Sequence, residues 1–572
     1  MSERRIGVYI CYCGGNISDY VDCEHVRDAV EKEKGVTVAK TTMFACSDAA
    51  QQEIIDDIRE QKLDGMVVAS CSPTLHLFTF RGVAERAGLN PYLYIQVNLR
   101  EQCSWAHTNL PKQATEKAIY MVKAGIAKAR LTQPLEKTRI DTVPRALVVG
   151  AGISGLRAAL ALSDLGISAY VAEKTDRIGG WTAGFGRMYP HNRYGSELIT
   201  QLDEEIKKRD NIQVYTEAEL VEKSGSVGDF DLKLKVKNEQ VSLNVGAIIV
   251  STGFNSYQPA ENEYAYGTGG VLTLPEFKEL LDNCQGELTY QGKPVNDVTY
   301  IYCVGSREQP GEKAHEYCSR YCCNAAVHAS LVANDLSPGL RQFHLYRDIR
   351  TYGKYELLYG EAREKGALFI KFDESAPPQV AKNNGRFQVQ VKDVLTYGEE
   401  LEIESDLVVL VTGMEPRPNQ ALNDVLKLPI SLDGFFKEIH PKLRPVETVI
   451  DGVFIAGTSQ APRNSAESVA SALAATSKSA SLLKKGYVEL EPLIAMVDKE
   501  ACNWCDKCTE ACPYSAVGKI SFGEKEIAEI SAAVCKGCGC CVPVCPENAL
   551  QIKGYTDLQV RAMIDAMEAS YE

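Results

Sequence analysis

The run Cys502-x2-Cys505-x2-Cys508-x3-Cys512-Pro513 recurs further on as Cys535-x2-Cys538-x2-Cys541-x3-Cys545-Pro546. Nothing else in the chain restricts its fold as strongly. Three thiolates on one tight loop hold three irons of a cube, while the fourth Cys ligates the other cluster. The expected pairing is therefore Cys502, Cys505 and Cys508 with Cys545, and Cys535, Cys538 and Cys541 with Cys512. Zinc modules use two CxxC pairs, and disulfide frameworks belong to oxidising compartments, so neither accounts for two complete runs. Residues 487–572 are expected to form a ferredoxin-like domain with two 4Fe–4S clusters, closed by an amphipathic helix over Thr556–Ser570.

At 572 residues the chain is long enough for three or four domains. Its net charge of −14 argues against nucleic acid, whose phosphates it would repel. No apolar stretch approaches the ~18 residues a membrane span needs. The start, Met1-Ser-Glu-Arg-Arg-Ile-Gly-Val-Tyr-Ile-Cys, reads as a strand and lacks a signal-peptide cleavage site. Twenty cysteines without an export signal predict a reducing compartment, the cytoplasm.

Residues 1–130 alternate strand-like runs (Ile6–Cys11, Val36–Met43, Gly65–Ser70, Tyr92–Val97) with helical ones (Glu24–Lys32, Ala49–Gln61, Phe80–Ala87). That pattern predicts a small parallel α/β domain. Cys11, Cys13, Cys46, Cys71 and Cys103 each fall at or just beyond a strand end, and such ends converge on the ligand-binding edge of a parallel sheet. A further 4Fe–4S site is expected from Cys46, Cys71 and Cys103 with Cys13, or with Cys11 in its place. Cys23, Cys284 and Cys540 are left as non-ligands. Residues 131–145, with two prolines and mixed charge, read as a linker.

Residues 146–486 open with Ala146-Leu-Val-Val-Gly150-Ala-Gly152-Ile-Ser154-Gly155, a hydrophobic strand entering GxGxxG and then a helix; Glu173 follows at the end of the next strand. The first glycine makes the turn, the second admits a pyrophosphate, the third lets helix and strand pack, and the acid binds ribose hydroxyls. Glu173-Lys174-Thr-Asp-Arg-Ile-Gly179-Gly180, Thr252-Gly253 and Gly457-Thr458 complete a site that favours FAD. On these residues the segment resembles the thioredoxin-reductase-like and glutathione-reductase-like flavoproteins, which have two dinucleotide domains. Many relatives carry Asp where this chain has Thr458.

The second nucleotide half lacks its fingerprint. The strand Val298-Thr-Tyr-Ile-Tyr-Cys303-Val-Gly305 is followed by Tyr317-Cys318-Ser-Arg-Tyr-Cys322-Cys323 and an apolar helix, with no GxGxxG. A nicotinamide phosphate thus loses its approach to the backbone. Four thiols, Cys303, Cys318, Cys322 and Cys323, suit an iron–sulfur cube in its place.

The chain resembles the A-type subunits of heterodisulfide reductase, a flavin-bearing family that performs electron bifurcation in methanogens. The resemblance rests on Cys11-Tyr-Cys13-Gly-Gly-Asn16-Ile17, Ala69-Ser-Cys71-Ser-Pro73-Thr-Leu-His76, Asn98-Leu-Arg100-Glu-Gln-Cys103-Ser-Trp105, Cys318-Ser-Arg-Tyr-Cys-Cys323, Arg350-Thr-Tyr352-Gly-Lys354 and the terminal repeat. It implies that Cys303, Cys318, Cys322 and Cys323 bind a flavin-proximal 4Fe–4S cluster. It also implies partners: B- and C-type subunits of such a complex, hydrogenase- or dehydrogenase-linked input subunits, ferredoxin, and a second copy of the chain. The chain departs from the methanogen pattern in two ways. It lacks their inserted ferredoxin unit, and it carries His328 where many have Lys; His328 is a candidate proton source for the flavin, or a packed helix histidine. The expected function is FAD/iron–sulfur electron transfer within a heterodisulfide reductase-like complex, with bifurcation or confurcation of electrons. The alternatives are a non-bifurcating conduit and a self-contained NAD(P)H-dependent reductase.

Overall fold

The computed structural model describes residues 4–311 and 314–568. They form two compact units, one of residues 140–488 and one combining residues up to 139 with those from 489 onward.

Strands β1 (Ile6–Cys11), β2 (Val36–Thr42), β3 (Gly65–Ser70) and β4 (Tyr94–Asn98) form a parallel sheet of order β2-β1-β3-β4. Successive side chains of a strand point to opposite faces. Val8, Ile10 and Val67 accordingly pack under helices α1 (Cys23–Val30) and α4 (Pro111–Leu131). Tyr9, Cys11 and Val68 pack under α2 (Asp48–Glu60) and α3 (Pro73–Ala87). With both faces covered, the central strands β1 and β3 are buried along their whole length and read as largely apolar runs. Helix α3 begins at Pro73, earlier than the expected Phe80, because Ser72 accepts from the Thr74 N–H and proline takes the first turn. Helix α4 has no counterpart among the sequence expectations.

In the second unit β5 (Arg145–Val149), α5 (Ile153–Asp164), β6 (Ser168–Ala172), α6 (Gly195–Lys207), β7 (Ile212–Tyr215) and β8 (Ala247–Val250) begin the first nucleotide fold. Its sibling follows with β9 (Val271–Thr273), α7 (Leu274–Asn283), β10 (Asp297–Val304), α8 (Cys322–Leu336), β11 (Arg341–Tyr346), β12 (Leu368–Lys371) and β13 (Leu407–Thr412). The chain then returns to the first fold through β14 (Val453–Ile455) and α9 (Ser465–Lys484). The sheets are parallel, with orders β7-β6-β5-β8-β14 and β9-β13-β10-β11-β12. Three-stranded antiparallel ribbons, at residues 218–245 and 379–405, are inserted in each. In the first sheet the strand order jumps between β5 and β8, the switch point where such sheets bind ligands.

The C-terminal segment returns to the first unit. β15 (Ala495–Val497) pairs with β18 (Leu550–Ile552), and β16 (Val517–Phe522) with β17 (Lys525–Ile530), around a small core that includes Cys508 and Cys541. Helix α10 (Asp557–Glu568) packs on α4; Ala569 and Ser570, the expected end of this helix, lie outside the described residues. Gln559 of α10 donates to the Thr132 hydroxyl at 3.3 Å, and Arg81 pairs with Glu491 at 2.7 Å.

Candidate functional site

The turn after β5 is built by steric necessity. Gly150 has φ +102°, and a Cβ there would lie 2.5 Å from the Ser251 carbonyl oxygen; one at Gly155 would lie 1.8 Å from the Gly150 oxygen. At Gly152 a Cβ meets nothing within 4 Å. That glycine faces a cavity of about 450 Å³ lined also by Ser154, Glu173, Gly179, Gly180, Thr252, Gly253 and Thr458. The two glycine runs are laced together, the Gly179 N–H donating to the Ala151 carbonyl at 2.7 Å. Glu173 accepts from the Ala151 and Thr175 N–H groups at 2.8 and 2.9 Å, which fixes its carboxylate at the wall. Gly457, at φ +68°, turns against Ser154: a Cβ would reach the Ser154 Oγ at 2.3 Å. Lys174 is exposed and pairs with Glu219 at 2.7 Å, outside the lining.

These residues fit a dinucleotide. Gly152 is the N-cap of α5 and has no side chain to cap it, so the helix's first N–H groups and its dipole are available to phosphate. The cavity-lining Thr252 Oγ1 and Arg463 Nη1 are buried without a hydrogen-bond partner, and a buried polar group of that kind calls for one. Part of the cavity lining is aromatic. Trp181 stacks at 5.7 Å and 23° on Phe254, and Tyr189, Tyr321 and Phe185 join the wall. An apolar, flat surface in the same cavity as a phosphate-binding turn suits a ring such as isoalloxazine.

Tyr321 and Ala325 line the same cavity, and between them in the chain, at the start of α8, stand Cys322 and Cys323. Cys303 is re-aimed by a bulge in β10, where pairing with β13 slips between Tyr302 and Val304 and φ reaches +62°. Cys322 interacts electrostatically with Cys323, Cys303 and Cys318, so the four thiols come together. The hydrogen bond from Cys322 holds the Cys323 thiol below its ordinary value, helped by Arg350 and Arg307. Burial raises Cys303. The place of a second phosphate turn is filled: a Cβ on Gly305 would strike the Tyr257 ring at 2.1 Å, and Arg347 donates to the Ser306 and Arg307 carbonyls.

His328 does not line the cavity; Tyr189, on whose ring it packs, does. Its Nε2 meets Asn192 Oδ1 at 2.6 Å, and burial lowers its pKa to about 4. It is a neutral, packed imidazole at neutral pH, a placement that does not suit a proton source.

In the C-terminal segment two cavities divide the thiols. Cys502, Cys505, Cys508 and Cys545 line one; Cys512, Cys535, Cys538 and Cys541 line the other, together with Cys540. Backbone N–H groups of Ala528, Ala516 and Ala549 point at the sulfurs of Cys502, Cys512 and Cys545 at 3.3–3.4 Å. Among the described residues no group of three His, Cys, Asp or Glu closes on a single ion. A cube takes each thiolate on a different iron, so its ligands stand apart around a void.

In the N-terminal sheet Cys11, Cys13, Cys46 and Cys71 are gathered: Cys11 interacts electrostatically with Cys13 and Cys46, and Cys71 with Cys13 and Cys11. Burial raises Cys71 to about 11, while Arg100 donates to Cys13 at 3.4 Å. Cys103 is not among them. It is fully buried against α4, donating to the Ala114 carbonyl at 3.0 Å, and the charge it feels is that of Lys117.

The structure thus defines a flavoprotein of two nucleotide folds, with four cysteines gathered at the second. A 4Fe–4S dicluster domain model matches residues 495–552, and an NAD(P)-binding Rossmann-like domain model matches residues 148–206. An iron-sulfur A-type subunit of the CoB–CoM heterodisulfide reductase of Methanopyrus kandleri is 35% identical over 603 residues, covering 90% of this chain and 91% of the relative. The A-type subunit of the H2:CoB-CoM heterodisulfide,ferredoxin reductase of Methanothermobacter thermautotrophicus is 34% identical, with 90% of this chain and 91% of the relative covered. Both alignments exceed the length of this chain, so the relatives carry inserted sequence. Among solved structures, T. acidophilum thioredoxin reductase aligns at 18% identity and TM-score 0.42, over 60% of this chain and 99% of that one. The chain belongs to the family of heterodisulfide reductase A-type subunits. It is an oxidoreductase whose cofactors are FAD and 4Fe–4S clusters. No described helix is long and apolar enough to cross a membrane.

Proposed function

We propose that this chain is the FAD-bearing hub of a heterodisulfide reductase-like complex and that it bifurcates or confurcates electrons. The observation that carries the reading is the shared wall: Tyr321 and Ala325 line the cavity, and Cys322 and Cys323 lie between them in the chain. FAD bound there supplies the exchange between electron pairs and single electrons. The protein's part is placement. Gly150, Gly152, Glu173 and the α5 N-terminus hold the dinucleotide, the aromatic part of the lining shelters the ring, and Cys303, Cys318, Cys322 and Cys323 hold a cluster beside it. Two further clusters are assigned to the C-terminal cavities and a fourth to Cys11, Cys13, Cys46 and Cys71. Each transfer carries −FΔE per electron, so an exergonic branch drives an endergonic one when the two stay separate.

The proposed partners are B- and C-type subunits, a hydrogenase- or dehydrogenase-linked input subunit, ferredoxin, and a second copy of the chain. The ferredoxin in the name of the Methanothermobacter relative favours that acceptor here. The test is anaerobic purification with its partners and an iron count, expected at about 16 Fe per chain for four cubes. C11S is expected to lose about 4 of these and C103S none. In the complex, ferredoxin reduction is expected to require the second acceptor; ferredoxin reduced equally well alone would leave a simple conduit. Bleaching of the flavin by NAD(P)H in the isolated chain would overturn both.

A further inference from the structure

Helix α7 turns Phe277 and Leu281 into the core and presents Leu274, Pro275 and Lys278 to the flavin cavity. Lys278 lines the cavity together with the aromatic side chains. Its Nζ donates to the Arg187 carbonyl at 2.6 Å, just before Met188 and Tyr189, which also line the cavity. Its charge also reaches His328, which packs on the Tyr189 ring. The carbonyl uses one of three ammonium donors. Among the described residues no carboxylate forms an ion pair with Lys278; the neighbouring Asp282 lies 3.8 Å from Arg187 Nε. A cation is thus held in the cavity, beside Met188 and Tyr189 of its lining, with donors to spare.

We propose that Lys278 sets the reduction potential of the FAD bound in this cavity, its ammonium stabilising the negative charge the ring gains on reduction. The inference rests on reading the cavity as the FAD site. Charge near the ring is one of the few means by which a protein tunes a flavin, and a desolvated cation acts more strongly than one in water. The groups facing Lys278 are Asp282 on its own helix, Arg187 on the adjoining loop and His328 on α8. Burial, more than Asp282 or Arg187, sets its proton affinity and lowers the pKa to about 8.

The test is a redox titration of the flavin in the anaerobically purified holoprotein, comparing wild type, K278M and K278R near pH 7. K278M is expected to lower the reduced-to-oxidised ratio at fixed potential at least tenfold, about 30 mV for a two-electron couple, with K278R close to wild type. The gap is expected to narrow above about pH 8 as the wild-type lysine loses its proton. Equal potentials in K278M and wild type overturn the proposal. So do equal shifts in K278M and K278R, which would mark packing rather than charge, and so does loss of FAD from K278M alone, which would make Lys278 a holding residue. A wild-type protein with no flavin would instead overturn the assignment of the cavity.

Discussion

At the scale of single residues, the glycines after β5 separate what the fold needs from what the ligand needs. G155A drives a methyl into the Gly150 carbonyl and is expected to cost about 1–3 kcal/mol of stability, read as a lower Tm of the flavin-free protein. G152A meets no protein atom, so its flavin-free Tm is expected to match wild type while FAD affinity falls roughly tenfold, about 1.4 kcal/mol. This fingerprint is legible in the sequence because its constraints act over a few adjacent residues. Lys278 is not legible there. A lysine on an amphipathic helix looks like any solvated charge, and only the neighbouring Arg187 carbonyl and Tyr189 make it part of a cavity. Cys103 shows the opposite limit. Its place beyond a strand end can be read from the pattern, but its side chain turns toward Ala114, away from the edge where Cys11 and Cys71 meet.

At the scale of elements, the parallel sheets, the paired nucleotide folds and the cysteine loops follow from periodicity and spacing. Helix α4 does not. Its buried positions include Ala114, Ala118, Gly125, Lys128 and Ala129, small or charged residues that hide the apolar stripe. Gly125 lets it lie close on the sheet, since a Cβ there would come within 2.6 Å of Val97. Lys128 is 4% exposed, and burial lowers its pKa to about 7; its Nζ lies 3.0 Å from the centre of the Tyr555 ring. Because the unfolded chain keeps an ordinary lysine, it binds more protons than the folded one between about pH 7 and pH 10, and stability rises across that window. Below it the folded state carries the full penalty of a buried cation. K128M is therefore expected to raise Tm by a few degrees near pH 6, with the gain fading by about pH 10. A gain independent of pH would mean that the ring contact keeps Lys128 charged at little cost.

At the scale of the whole molecule, the sequence reads as domains in a row, yet its first and last segments share one unit. The contacts that join them, the packing of α4 on α10, Lys128 on the Tyr555 ring, Arg81 with Glu491 and Gln559 with Thr132, link residues more than 400 positions apart. No local pattern announces such pairs. Cleavage at protease sites introduced near 140 and 488 is expected to leave the terminal fragments co-eluting on gel filtration with their iron. Fragments that separate would show that the contacts do not suffice. The arrangement also sets a timetable for synthesis. The first segment leaves the ribosome long before its partner exists; at 5–20 residues per second the intervening chain takes roughly 20–70 s to translate. For that interval the thiols of Cys11, Cys13, Cys46 and Cys71 belong to half a unit, so under the cluster assignment proposed above metal loading of the finished protein would compete with whatever else captures open sulfur ligands on a nascent chain.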